Sequence, residues 1–213
     1  MNKILFLDTL TTGLDPERCA IYKMGGIFCE MTVTGIRELK RMDYYIRPHE
    51  RARVVDNSLW IGGETRGNLA LFPEQEKVFK DFVSLLNTIV NVRDPKDKIY
   101  VASFNASSFD VPFLKNWFLL NENQRFRDYF YVQTLDLMSL SAFALINERQ
   151  SMPDFHLETT AKFLGVAPEH TAKYNCIANA ETCLEMFKIL RERMKTGENI
   201  YYEKTEDIVC NHK

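Results

Sequence analysis

The 213-residue chain has almost no charge imbalance: 27 Lys and Arg face 29 Asp and Glu, for a net charge of −2. This excludes a protein-wide basic field as the means of holding a polyanion, and leaves any nucleic-acid contact to local basic residues or bound cations. Cysteine is sparse and unpatterned. Cys19, Cys29, Cys176, Cys183 and Cys210 are odd in number and include no Cys-x-x-Cys pair, so reduced, partly buried thiols are expected and neither a disulfide framework nor a zinc site is. No apolar run approaches the roughly 20 residues of a membrane-spanning helix, and the N-terminus lacks the pattern of a secretory signal. A soluble, cytoplasmic protein without a membrane partner is expected. Gly-x-Gly-x-x-Gly and Walker loops are missing as well, which removes the common nucleotide-binding classes of metabolic enzyme.

What is present is an ordinary globular composition, 46% hydrophobic and 12% aromatic, sufficient for one sizeable core. Residues 4–7 form an apolar run of strand length, rich enough in large side chains to be buried on both faces, which ends at Asp8 and then breaks into Thr11-Thr12-Gly13. A carboxylate at the end of a core strand costs desolvation unless it is compensated, and a divalent cation is the strongest compensator for a carboxylate cluster. Residues 20–30 and 39–46 read as two further strands around a turn at Thr34-Gly35, which makes an antiparallel meander. The connection over 47–68 carries Arg47, Arg51, Arg53, Arg66 and Trp60. It has two readings: a surface that contacts phosphates and stacks a base, or a solvated loop with Trp60 tucked onto the core. Apolar spacing predicts a helix over 73–92 with Pro73 just inside its start, a strand over 99–104, and a helix opening at Asp110. A strand over 130–134 and helices over 135–146, 157–164 and 175–194 follow, Gly165 closing the second of these. A meander followed by alternating helices and strands is an α/β protein with a central sheet flanked by helices.

Three constellations carry chemistry. The first is Asp8-Thr9-Leu10-Thr11-Thr12-Gly13-Leu14, and the second is Phe104-Asn105-Ala106-Ser107-Ser108-Phe109-Asp110-Val111-Pro112. The third pairs His170 with Asn175 at the start of the last helix. Taken alone, Asp110 reads as a helix cap and His170 as a surface residue. Five positions on one α-helix leave two side chains about 140° apart, so His170 and residue 175 converge only if His170 lies on the preceding loop. A loop histidine titrating near neutrality suits the deprotonation of a water. Together and in order, the three resemble the motifs of the DnaQ-like, or DEDDh, superfamily of 3′→5′ exonucleases. Those motifs are Phe-x-Asp-x-Glu-Thr-Thr-Gly-Leu, Asn-x-x-x-Tyr/Phe-Asp-x-Pro in the TREX-type spelling, and His-x-x-x-x-Asp.

The resemblance implies a ribonuclease H-like fold, with a mixed sheet of a three-strand meander plus two further strands, over residues 1–196; residues 197–213 form a tail with no assigned role. It implies two Mg²⁺ or Mn²⁺ ions, with Asp8 as shared ligand, positions 10 and 175 as further carboxylates, Asp110 on the second ion and His170 as general base. Thr9, Thr11, Thr12, Gly13, Asn105 and Phe109 would contact the terminal nucleotide. The implied substrate is a single-stranded or frayed 3′ end of DNA or RNA, and a polymerase or a second copy of the chain are further candidate partners. Two of the four acids are replaced, however. Leu10 has no ligand atom, Asn175 offers only a neutral carbonyl, and Phe104 stands where many relatives have histidine. Metal occupancy is therefore expected to be weakened and hydrolysis lost or impaired. Two explanations are open: an exonuclease site inactivated at two positions to trap substrate, or a pseudo-exonuclease that serves as a nucleic-acid-binding or protein-docking module.

Overall fold

Alternation along the first strand sets the layers. In β1 (Lys3–Thr11) the side chains of Ile4 and Phe6 lie on one face and those of Leu5 and Leu7 on the other, all buried. A strand apolar on both faces must sit inside a sheet covered on both sides. The computed structural model, which describes residues 2–166 and 175–196, shows this arrangement. β2 (Ile21–Met31) pairs antiparallel with β1, and β3 (Ile36–Tyr45) antiparallel with β2. On the other side β4 (Ile99–Ser103) and β5 (Leu135–Asp136) add in parallel, giving the order β3-β2-β1-β4-β5. The helices are α1 (Asp56–Ile61), α2 (Arg66–Ala70), α3 (Gln75–Ile89), α4 (Asp110–Leu120), α5 (Phe126–Tyr129), α6 (Leu137–Ala144), α7 (Leu157–Phe163) and α8 (Cys176–Thr196). Leu5 and Leu7 share a core with Phe79 and Phe82 of α3 and Trp117 and Phe118 of α4. Ile4 and Phe6 share the other with Leu137 of α6, Ala161 of α7 and Ala180 and Leu184 of α8. The expected sheet of a meander plus two further strands, with helices on both faces, is the one that forms.

Several boundaries differ from the sequence expectation for local reasons. The strand expected over 130–134 is reduced to a single bridge of Phe130 with Ile99, and the ladder resumes only at Leu135. Phe130 is apolar because it packs on Phe118 and Phe126, not because it alternates in a strand. Asp136 then ends β5 at once, its carboxylate accepting from the N–H groups of Met138 and Ser139 and opening α6. Pro73 lies outside α3, since its carbonyl accepts from Arg47 N and the helix begins two residues later. The connection over 47–68 is not irregular throughout but holds α1 and the start of α2. Cys19, Cys29, Cys176 and Cys183 are buried free thiols. No helix among the described residues is long and apolar enough to cross a membrane. His170, Cys210 and residues 197–213 lie outside the described residues.

Candidate functional site

The ends of β1 and β4 and the first turns of α4 and α8 meet at one point. Asp8 lies in register with Gly25 of β2. A Cβ on Gly25 would come within 2.4 Å of Ile177 N and 2.5 Å of the Cys176 carbonyl carbon. Only glycine therefore lets the first turn of α8 rest directly on β2. That contact brings α8 over Asp8. Asn179 Nδ2 donates to Asp8 Oδ2 at 3.2 Å, and the Cys176 thiol donates to the same carboxylate.

This geometry sets Asn179, and not Asn175, against Asp8. Asn175, expected to complete the metal set, instead closes the start of α8: its Oδ1 accepts from Ala178 N at 3.4 Å and its carbonyl accepts from Asn179 N at 3.0 Å. The residue one turn later, Asn179, is the one that faces Asp8. The five-residue spacing of the third motif, counted back from 179, reaches Tyr174 and not His170; both lie outside the described residues. Two sequence signals could have found Asn179: asparagines four apart at one helix start, of which one can cap and one can face inward, and the Gly25-Gly26 pair that admits a close helix.

Asp110 opens α4 and is buried. It accepts from Thr9 Oγ1 at 2.8 Å and from Ser103 Oγ at 2.5 Å, so Thr9 ties β1 to the second motif. Asn105 adopts φ of 75°, and its carbonyl accepts from Phe109 N at 3.0 Å, which turns the chain from β4 into α4. The ring of Phe109 packs on Phe113 at 5.1 Å. Thr11 Oγ1 donates to the Gly13 carbonyl, and Thr12 Oγ1 donates to the Arg53 carbonyl while accepting from Ala20 N. A Cβ on Gly13 would meet Cys19 Sγ at 2.5 Å. The threonine hydroxyls of the first motif are thus committed inside the protein, where they build the turn.

Burial pushes Asp8 up to about 6, against hydrogen bonds from Cys176 and Asn179 and the charge of Lys23. Burial, and then the charge of Asp8, push Asp110 up to about 7, against the hydroxyls of Ser103 and Thr9. Both carboxyls are thus held above the ordinary carboxylate range, and the charge of one raises the other. The cation facing Asp8 is Lys23, which lies opposite Leu10 in the β1–β2 register and over the Tyr45 ring at 4.8 Å. Leu10 itself packs with Tyr22, Leu59 and Leu69. The Tyr22 hydroxyl, buried beside it and against Gly62, has no hydrogen-bond partner among the described residues.

These residues do not fit a pair of dications. Asp8 and Asp110 are the only carboxylates of the expected set, Asn179 brings no charge whichever way its amide points, and position 10 is part of an apolar cluster. Among the described residues no group of three or more His, Cys, Asp or Glu is placed to hold a metal ion.

No family model and no curated protein matches the chain by sequence. The fold does match solved structures. E. coli Exonuclease I in complex with a dT13 oligonucleotide aligns with a TM-score of 0.70 at 19% identity, over 92% of this chain and 42% of that one. The moderately thermophilic Exonuclease I from Methylocaldum szegediense aligns with a TM-score of 0.71 at 16% identity, over 92% and 41%. A zinc-bound E. coli Exonuclease I complex with single-stranded DNA aligns with a TM-score of 0.70 at 19% identity. The fold is therefore the ribonuclease H-like fold of the exonucleases, and the chain spans about two fifths of the length of these neighbours.

Proposed function

We propose that this chain is a pseudo-exonuclease, which holds a single-stranded or frayed 3′ end of DNA or RNA without two-metal hydrolysis. The observation that carries the reading is the set of groups around Asp8: an amide from α8, a thiol, a lysine and an apolar neighbour where a two-metal site needs carboxylates. Support for the ligand comes from the neighbouring folds, solved with oligonucleotides such as dT13, and from the order of the first two motifs. Asp8 and Asp110 are two neighbouring carboxyls raised above their ordinary range, and no hydrolytic step is assigned to them.

The test is incubation of 5′-labelled single-stranded DNA and its RNA counterpart with the chain in Mg²⁺ and in Mn²⁺, scored for both binding and shortening. The expected result is a retained, full-length strand. Stepwise loss from the 3′ end by the native chain overturns the proposal, as does failure to bind either strand. The Leu10→Glu/Asn179→Asp variant is expected to gain Mn²⁺-dependent thermal stabilisation that Leu10→Glu/Asn175→Asp does not.

A further inference from the structure

The connection between β3 and α3 is fastened to the site. Thr12 Oγ1 donates to the Arg53 carbonyl at 2.7 Å, Arg53 N donates to the Arg18 carbonyl at 2.7 Å, and Val55 N donates to the Thr12 carbonyl at 2.8 Å. At the other end of α1, Gly62 closes on Tyr22 and Leu10. Trp60 lies between these attachments, about 8 Å of helical rise from Val55. Its neighbour Leu59 is buried, whereas Trp60 is 75% exposed. An indole presented to solvent from an element pinned at both ends is not a loop residue tucked onto the core. The four arginines of the connection also divide. Arg47 is held by Glu74 and the Phe72 carbonyl, and Arg66 by Asp56 and the Val54 carbonyl. Arg51 and Arg53 are exposed and form no ion pair among the described residues.

We propose that Trp60 is a base-stacking platform for a single-stranded nucleic acid whose phosphates pass over Arg51 and Arg53; this rests on the strand-binding reading above. A flat aromatic face and unpaired guanidinium groups, joined through one loop to the turn beside Asp8, match the alternation of base and phosphate along a strand. Of the residues within six positions of Trp60, Ile61 is the other exposed large apolar side chain, and Asp56, Glu64 and Arg66 are charged, a local composition that suits a charged polymer better than an apolar protein face.

Trp117, the only other tryptophan, is buried with its Nε1 donating to Gln75, so a change in emission on adding dT13 reports Trp60. Emission is expected to change with the same midpoint as the anisotropy of a labelled strand. Trp60→Ala is expected to weaken binding by about 5- to 100-fold, and Trp60→Phe to recover most of it. Arg51→Ala/Arg53→Ala should flatten the slope of log affinity against log salt by about 1.4 on single strands. Binding with unchanged emission and unchanged affinity in Trp60→Ala overturns this proposal and leaves the proposed function standing. Absence of binding to dT13 and to its RNA counterpart overturns both.

Discussion

Replacing Asp110 with asparagine removes a charge that the folded chain has difficulty accommodating. The carboxyl is buried and pushed up to about 7 by that burial and by Asp8, although Ser103 and Thr9 donate to it. In the unfolded chain it titrates at its ordinary value of 3.8. Below that pH both states hold the proton and the difference contributes nothing. Between about 4 and 7 the unfolded chain releases a proton that the folded chain keeps, so stability falls as pH rises, and above about 7 the loss is complete. At 1.36 kcal/mol per pH unit, the gap corresponds to about 4 kcal/mol, a ceiling because part of the shift comes from the charge of Asp8 and vanishes when Asp8 is protonated. Asparagine keeps the shape without the charge, and the two hydroxyls can each turn to donate or accept. In urea unfolding at about pH 8, Asp110→Asn is expected to exceed the native chain by about 1 to 4 kcal/mol, with the two converging at about pH 3.5. A variant less stable than native at pH 8 would refute the reasoning, because the native charge would then have to be compensated by something such as a bound cation.

Gly25→Ala should cost about 3 kcal/mol in the same assay, since the added methyl meets the backbone of α8 and not a flexible side-chain end. Lys3 Nζ donates to the Ile89 carbonyl at 2.5 Å and to Asp97 Oδ1 at 2.6 Å. Lys3→Met is expected to cost about 1 to 3 kcal/mol. Burial alone would raise Asp97, but the bonds from Lys3 and Asn91 N hold it below its ordinary value. Its contribution is therefore present above about pH 4 and lost as pH falls further, so the cost of Lys3→Met should shrink in acid. Asn175→Ala should cost about 1 kcal/mol as a lost helix cap. By contrast, Asn179→Asp, which sets a second carboxylate against Asp8, should lower the melting temperature more at about pH 8 than at pH 5.

The layers were legible in the sequence because β1 is apolar on both faces and the two helical patterns after it each have a single apolar stripe. Asp8 and Asp110 were legible because each stands where a run of regular structure begins or ends. The strand over 130–134 misled because burial and alternation give the same signal over so few residues: Phe130 is buried by neighbouring rings, while Val132 is 61% exposed. The asparagine that meets Asp8 was not legible, because spacing to a histidine fixes a distance along the chain and not a direction. Which of two asparagines faces the sheet depends on where α8 begins, and that is set by its contact with Gly25, which is remote in sequence. The exposure of Trp60 had no local signal, because it depends on Val55 and Gly62 being held by Thr12, Tyr22 and Leu10.

The residues around the site act together more than one by one. A buried carboxylate and a half-buried one near each other, Asp110 and Asp8, need compensation, and in a two-metal site the ions supply it. Here Asp8 has the Asn179 amide, the Cys176 thiol and the Lys23 ammonium, and Asp110 has two hydroxyls. Each of these supplies a hydrogen bond or a positive charge, and none adds the negative charge that would draw a dication in. Leu10 brings no carboxylate and packs that side with Tyr22, Leu59 and Leu69. Adding one acid alone would therefore put a charge into an environment that, among the described residues, has nothing to compensate it. Recovery of metal binding is expected only when positions 10 and 179 change together, and the excess of the double variant's Mn²⁺ response over the sum of the single ones measures that coupling.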